Sequence, residues 1–168
     1  MYKRVISRAL SSGILFLVCF SANAVSVGER APEISLPLLD QAKILSLKKH
    51  RGKVVYLDFW ASWCGSCRVS LPLLSELRTE LLNNGFEVLG VNVDAKPEDG
   101  IAFLDRFPVS FPVVSDPKGK TPELYQLKGM PTSYLIDKKG VIRHVHVGFK
   151  KSDISKIKSE VLVLLNEK

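Results

Sequence analysis

Asp58-Phe59-Trp60-Ala61-Ser62-Trp63-Cys64-Gly65-Ser66-Cys67 is the stretch on which the reading of this chain turns. Two cysteines, separated by two small residues, lie between an apolar β run and an amphipathic helical pattern. The spacing leaves Cys64 in the loop before the helix and puts Cys67 in its first turn. Both sulfurs then sit near unpaired backbone N–H groups at the positive end of the helix. That field favours thiolate over thiol and can bring a cysteine well below its free pKa of about 8.5. Cys64 is the expected nucleophile and Cys67 the expected resolving thiol. Half of a zinc site is the first rival reading, but it would need two more ligands, and the chain has no second cysteine pair. A purely structural bridge is the second, and closing so short a loop would constrain the unfolded chain little.

The first residues read as an export signal. Lys3, Arg4 and Arg8 make a basic start, residues 13–20 an apolar core, and Ala22-Asn23-Ala24 a small-x-small cleavage site. Cleavage after Ala24 assigns 1–24 to a signal peptide and 25–168 to a single domain. The rival here is a retained membrane anchor facing the periplasm, although the apolar run is shorter than the ~20 residues a spanning helix needs. A lipidated Cys19 is disfavoured by Phe16-Leu17-Val18, which lacks the small residue expected before a lipid-bearing cysteine. Without the leader, Cys64 and Cys67 are the only cysteines, and the net charge of +7 falls to +4 because the leader carries three basic residues and no acid. That surplus is too small, and the Lys48-Lys49-His50-Arg51 and Lys138-Lys139 runs too poor in interleaved aromatics, for a nucleic-acid surface.

Outward from the cysteine motif, Val54-Val55-Tyr56-Leu57 within 53–59 predicts a central strand covered on both faces. Residues 67–84 predict a helix with Leu71, Leu74, Leu77 and Leu81 on one side, kinked at Pro72 and closed by Asn83-Asn84-Gly85. Further on, 86–93 reads as a second buried strand and 97–107 as a second helix. A short strand at Val113-Val114 and a short helix at 122–127 follow. Residues 133–137 and 141–147 form a hairpin about Lys138-Lys139-Gly140, and the last helix carries Ile154, Ile157, Val161 and Leu164 as one stripe. Ahead of all this, 28–40 reads as an irregular, proline-punctuated lead-in and 44–47 as a short strand. The fold class is α/β, a mixed sheet with helices on both faces.

These residues resemble the thioredoxin superfamily, and within it the exported reductases of the TlpA, ResA and cytochrome c maturation type. Residues 58–67 are similar to the thioredoxin active-site signature, Gly129-Met130-Pro131-Thr132 to its cis-proline loop, and Gly28-Glu29-Arg30-Ala31-Pro32 to the lead-in of the TlpA-like and peroxiredoxin-like branches. Residues 107–116 resemble the central insertion of those branches. The resemblance implies a thioredoxin-like fold, and it implies that Asp58 is a buried acid whose raised pKa lets it exchange a proton with Cys67. It also implies that Pro131 follows a cis peptide, and that Met130 and Trp63 border an extended substrate beside Cys64. Ser66 replaces the proline common in thioredoxins, and Ser70 stands where some relatives place a glutamate.

The function these residues support is a periplasmic thiol–disulfide oxidoreductase that reduces client proteins, in cytochrome c maturation or copper-site assembly. It would need no cofactor beyond the Cys64–Cys67 disulfide and no metal, and a membrane-embedded thiol reductant would reset it. The alternatives are a disulfide oxidase or isomerase, and a copper or haem assembly chaperone that uses both sulfurs, with His144 or His146 as a further ligand. Those histidines alternate along a predicted strand and read first as a solvent-facing pair. A peroxiredoxin is disfavoured because Leu57 and Ala61 stand where its proline and threonine belong.

Overall fold

Val54–Trp60 (β3) is wholly buried, and it is the axis of a computed structural model that describes residues 25–167. Its β-branched and aromatic side chains alternate between two apolar layers, as a strand in the middle of a sheet must. Phe86–Asn92 (β4) lies parallel to it on one side, and Thr132–Ile136 (β6) antiparallel on the other. Ser35–Leu38 (β1), Gln41–Ser46 (β2), Val113–Ser115 (β5) and Ile142–Val147 (β7) complete one sheet of seven strands, in the order β2-β1-β5-β4-β3-β6-β7.

One face of the sheet packs against Cys67–Leu81 (α1) and Asp153–Asn166 (α4), with Phe103 arriving from Pro97–Arg106 (α2). Val54, Tyr56, Trp60, Phe86, Val88 and Leu135 belong to this layer. The other face is covered more thinly. Ala31 and Ile34 of the lead-in lie there, with Leu47 and with Tyr125 at the end of the short helix Lys120–Leu124 (α3). Tyr125 sets its ring tilted against Phe59, with centroids 5.1 Å apart, and its hydroxyl donates to the Pro32 carbonyl at 2.5 Å. That single side chain therefore ties α3 and the lead-in to the central strand.

Three elements depart most from the sequence reading. The lead-in contains β1, which pairs antiparallel with β2 and bulges beside Pro37, because an edge-proximal strand can accommodate a proline that a central one cannot. β2 begins at Gln41, three residues ahead of the expected strand, and Leu47 has already left it for a 3-10 turn capped by the Ser46 side chain. α3 starts at Lys120 rather than at Pro122. The Asp116 carboxylate accepts from both the N–H and the hydroxyl of Thr121 at 2.6 Å, which anchors the first turn. α1 runs as one element through Pro72 to Leu81. The signal-peptide reading lies outside the described residues. Among those described, no helix is long and apolar enough to cross a membrane.

Candidate active site

The end of β3 delivers the chain into the loop 61–66, and α1 leaves it at Cys67. Cys64 and Cys67 are joined as a disulfide. No side-chain oxygen caps α1. The Cys67 N–H instead points at the Cys64 sulfur, 3.2 Å away, so this sulfur occupies the place of a capping group. A thiolate there receives a backbone hydrogen bond and the positive end of the helix together. Cys67 has no exposed surface, and Cys64 retains 5%. An incoming disulfide can therefore meet Cys64 and not Cys67.

The two tryptophans differ in role. Trp60 is fully buried, its ring 5.3 Å from Phe103, whereas Trp63 is 68% exposed immediately beside Cys64. The Met130–Pro131 peptide is cis. Met130 packs against the cluster that contains both cysteines, the Pro131 carbonyl accepts from Gly148 N–H at 2.8 Å, and Thr132 Oγ1 donates to the Gly129 carbonyl at 2.8 Å.

Asp58 projects from β3 on the same side as Tyr56 and Trp60, into the layer that holds Cys67. It is completely buried. Ser133 Oγ donates to its Oδ1 at 2.6 Å, and Oδ2 has no partner. Burial pushes its pKa up to about 7, and the Ser133 hydrogen bond opposes that shift. A carboxyl of that strength can both take and return a proton near neutral pH.

The sequence reading missed the acid that holds the loop. Asp94, buried just beyond β4, accepts from the Ser62 N–H at 3.0 Å, the Ser62 hydroxyl at 3.0 Å and Asn92 Nδ2 at 2.7 Å. Its only signal in the sequence is a polar Asn92-Val93-Asp94 ending an apolar strand. Asn92 in turn abuts Gly100 of α2, where an added Cβ would lie 2.7 Å from Asn92 Nδ2. Gly100→Ala should therefore destabilise the protein by about 1–3 kcal/mol, as overpacking does, although alanine in an open helix would stabilise by roughly 1 kcal/mol relative to glycine. Urea unfolding of the two proteins decides the sign.

Of the two histidines, His146 turns into the fold, which corrects the first reading of it, whereas the His144 side chain stays 40% exposed. Their rings stack in parallel, 6.2 Å apart, against α4. His146 Nε2 meets Glu160 Oε2 at 2.9 Å and Nδ1 meets the Tyr56 hydroxyl at 3.2 Å, while His144 Nδ1 lies 3.5 Å from Glu160 Oε1. Both nitrogens of His146 are thus engaged within the fold, away from the cysteines. Among the described residues, no group of three or more His, Cys, Asp or Glu side chains is placed to hold a metal ion.

The sequence profile of the AhpC/TSA family matches residues 27–145. The thioredoxin-like protein YneN of Bacillus subtilis is 38% identical over 127 residues, covering 74% of this chain and 73% of that protein. The thiol-disulfide oxidoreductase ResA of Geobacillus thermodenitrificans is 36% identical over 132 residues, covering 78% of this chain and 75% of ResA. A crystal structure from Chlorobium tepidum, assigned as a thiol:disulfide interchange protein DsbE, superposes with a TM-score of 0.82 at 43% identity, over 85% of this chain and all of that one. With the Cys64–Cys67 pair at the head of α1, these likenesses establish a thiol–disulfide oxidoreductase, and the chain belongs to the AhpC/TSA family as a ResA-like member of the thioredoxin superfamily.

Proposed function

We propose that the protein is exported and works as a reductant of protein disulfides. Cys64 thiolate attacks one sulfur of a client disulfide, joining to it and releasing the other client sulfur as thiolate. Cys67 then passes its proton to Asp58, attacks Cys64 Sγ and expels the second client thiolate. Two electrons move to the client, and the Cys64–Cys67 disulfide is left. A thiol reductant in the membrane restores the dithiol. Trp63, Met130 and Pro131 border the client's extended chain, and the resemblance to the exported reductases suggests apocytochrome c or copper-site proteins as clients.

The observation that carries this reading is the fully buried Cys67 in the same packed layer as the buried Asp58 carboxyl, whose pKa is raised to about 7, with Cys64 the one cysteine of the pair that keeps any exposed surface. Equilibration against glutathione or dithiothreitol buffers tests its direction. A reductase should poise near the thioredoxin value of about −270 mV, whereas a value near −120 mV would make the protein a disulfide donor.

A further inference from the structure

Asp58, Ser133 and His146 stand in one row across three strands, since Asp58 pairs with Ser133 on β6 and Ser133 with His146 on β7. All three share the face that α1 and α4 cover. Ser133 Oγ donates to Asp58 at 2.6 Å, and Tyr56 stands diagonally across from Ser133 on the same face, since it pairs with Leu135 two residues along β6. The Tyr56 hydroxyl meets His146 Nδ1 at 3.2 Å, and His146 Nε2 meets Glu160 at 2.9 Å. His146 lines a cleft of about 250 Å³ between β7 and α4, with Phe149, Asp153 and Lys156 on its walls.

We propose that Ser133, Tyr56 and His146 form a proton path that connects the sealed Asp58 carboxyl with solvent in this cleft. The inference rests on the reading of Asp58 as the group that takes the Cys67 proton. The unpartnered Oδ2 receives that proton, and a half-turn of the carboxyl presents it to Ser133. Asp58 then donates to Ser133 Oγ, Ser133 to Tyr56, Tyr56 to His146 Nδ1, and His146 Nε2–H to Glu160. One shift along each of the first three bonds returns Asp58 to carboxylate and leaves an imidazolium whose Nε2–H still faces the Glu160 carboxylate. Its Nε2 proton passes to water, so one proton enters at Asp58 and one leaves at the cleft.

The groups around His146 suit this role. Burial holds its pKa below the ordinary value, as do His144 on its own strand and Lys156 on α4, while Glu160 draws it up. Asp153 of α4 lines the same cleft, and the Tyr56 hydroxyl meets His146 from β3, with Asp58 two residues along the same strand face. The resting imidazole is thus neutral near pH 7 and able to accept. Burial keeps the Tyr56 phenol protonated throughout, so that it relays without ionising.

The test is single-turnover oxidation of the reduced full-length protein by excess oxidised glutathione, followed by tryptophan fluorescence across pH 5–9. Tyr56→Phe and His146→Ala should each slow resolution by about tenfold near pH 7, less than the roughly 10²–10⁴-fold effect of a positioned proton-transfer group. Added imidazole should rescue His146→Ala and not Tyr56→Phe. His146, at the periphery, keeps the proposal testable should Tyr56→Phe fail to fold. Wild-type rates in either folded variant, or an imidazole effect absent from His146→Ala, would overturn the path while a slow Asp58→Asn leaves the underlying reading intact. A wild-type rate in Asp58→Asn would overturn both.

Discussion

Cys67→Ser should turn the protein into a trap: incubated with a disulfide-bonded client, it accumulates the Cys64 mixed disulfide and turnover stops. The attacking sulfur still receives the Cys67-position N–H at the head of α1, because that bond comes from the backbone and survives the substitution. What is lost is the only other thiol among the described residues, the one able to displace the client. Cys64→Ser removes the sulfur that reaches the surface, and the buried Cys67 cannot replace it. Its rate of client reduction should fall to the uncatalysed background, with no adduct. Mass spectrometry of the non-reduced mixtures distinguishes the two; an adduct in Cys64→Ser but none in Cys67→Ser would reverse the assigned roles.

The second large effect is on stability. Asp58 has a folded pKa of about 7, against roughly 3.9 in an unfolded chain. Between those values the folded state holds a proton that the unfolded state has released, so stability falls as pH rises through that window and stays lowered above it. A difference of about three units corresponds to up to about 4 kcal/mol. Asp58→Asn removes this loss and can still face Ser133. The oxidised variant should therefore exceed the wild type by about 2–4 kcal/mol at pH 8, with the advantage shrinking toward pH 4. Urea midpoints for both proteins across that range read the effect, and a difference independent of pH would show that Asp58 ionises freely in the fold. The same substitution should slow resolution near neutral pH, trading activity for stability at one position.

Residues that act through neighbours in the chain were legible in the sequence. The apolar run of β3, the cysteine spacing and the leucine stripe of α1 are local patterns, and they place Cys64 and Cys67 without knowledge of the rest. Asp58 was visible for a related reason, because an acid within a continuous apolar strand is costly unless it has a use. Asp94 and Asn92 were not visible, since the loop they hold lies some thirty residues away and only the parallel register of β3 and β4 joins them. Ser133, Tyr56 and His146 depend likewise on two antiparallel registers. β1 was hidden by Pro37, which breaks the alternation that marks a strand, and the start of α3 by a side chain, Asp116, that caps from outside the helix.

The pairing of the lead-in with the far hairpin fixes how the molecule can be held. Gly28 N–H donates to the Ile142 carbonyl and Ala31 N–H to the Gly140 carbonyl, beside the turn between β6 and β7. That turn lies at the Val54 end of β3, and the cysteines follow its Trp60 end. The chain thus enters the domain at the pole opposite its chemistry. A linker, fusion partner or solid support joined ahead of this point leaves the dithiol facing outward, unobstructed by its own attachment.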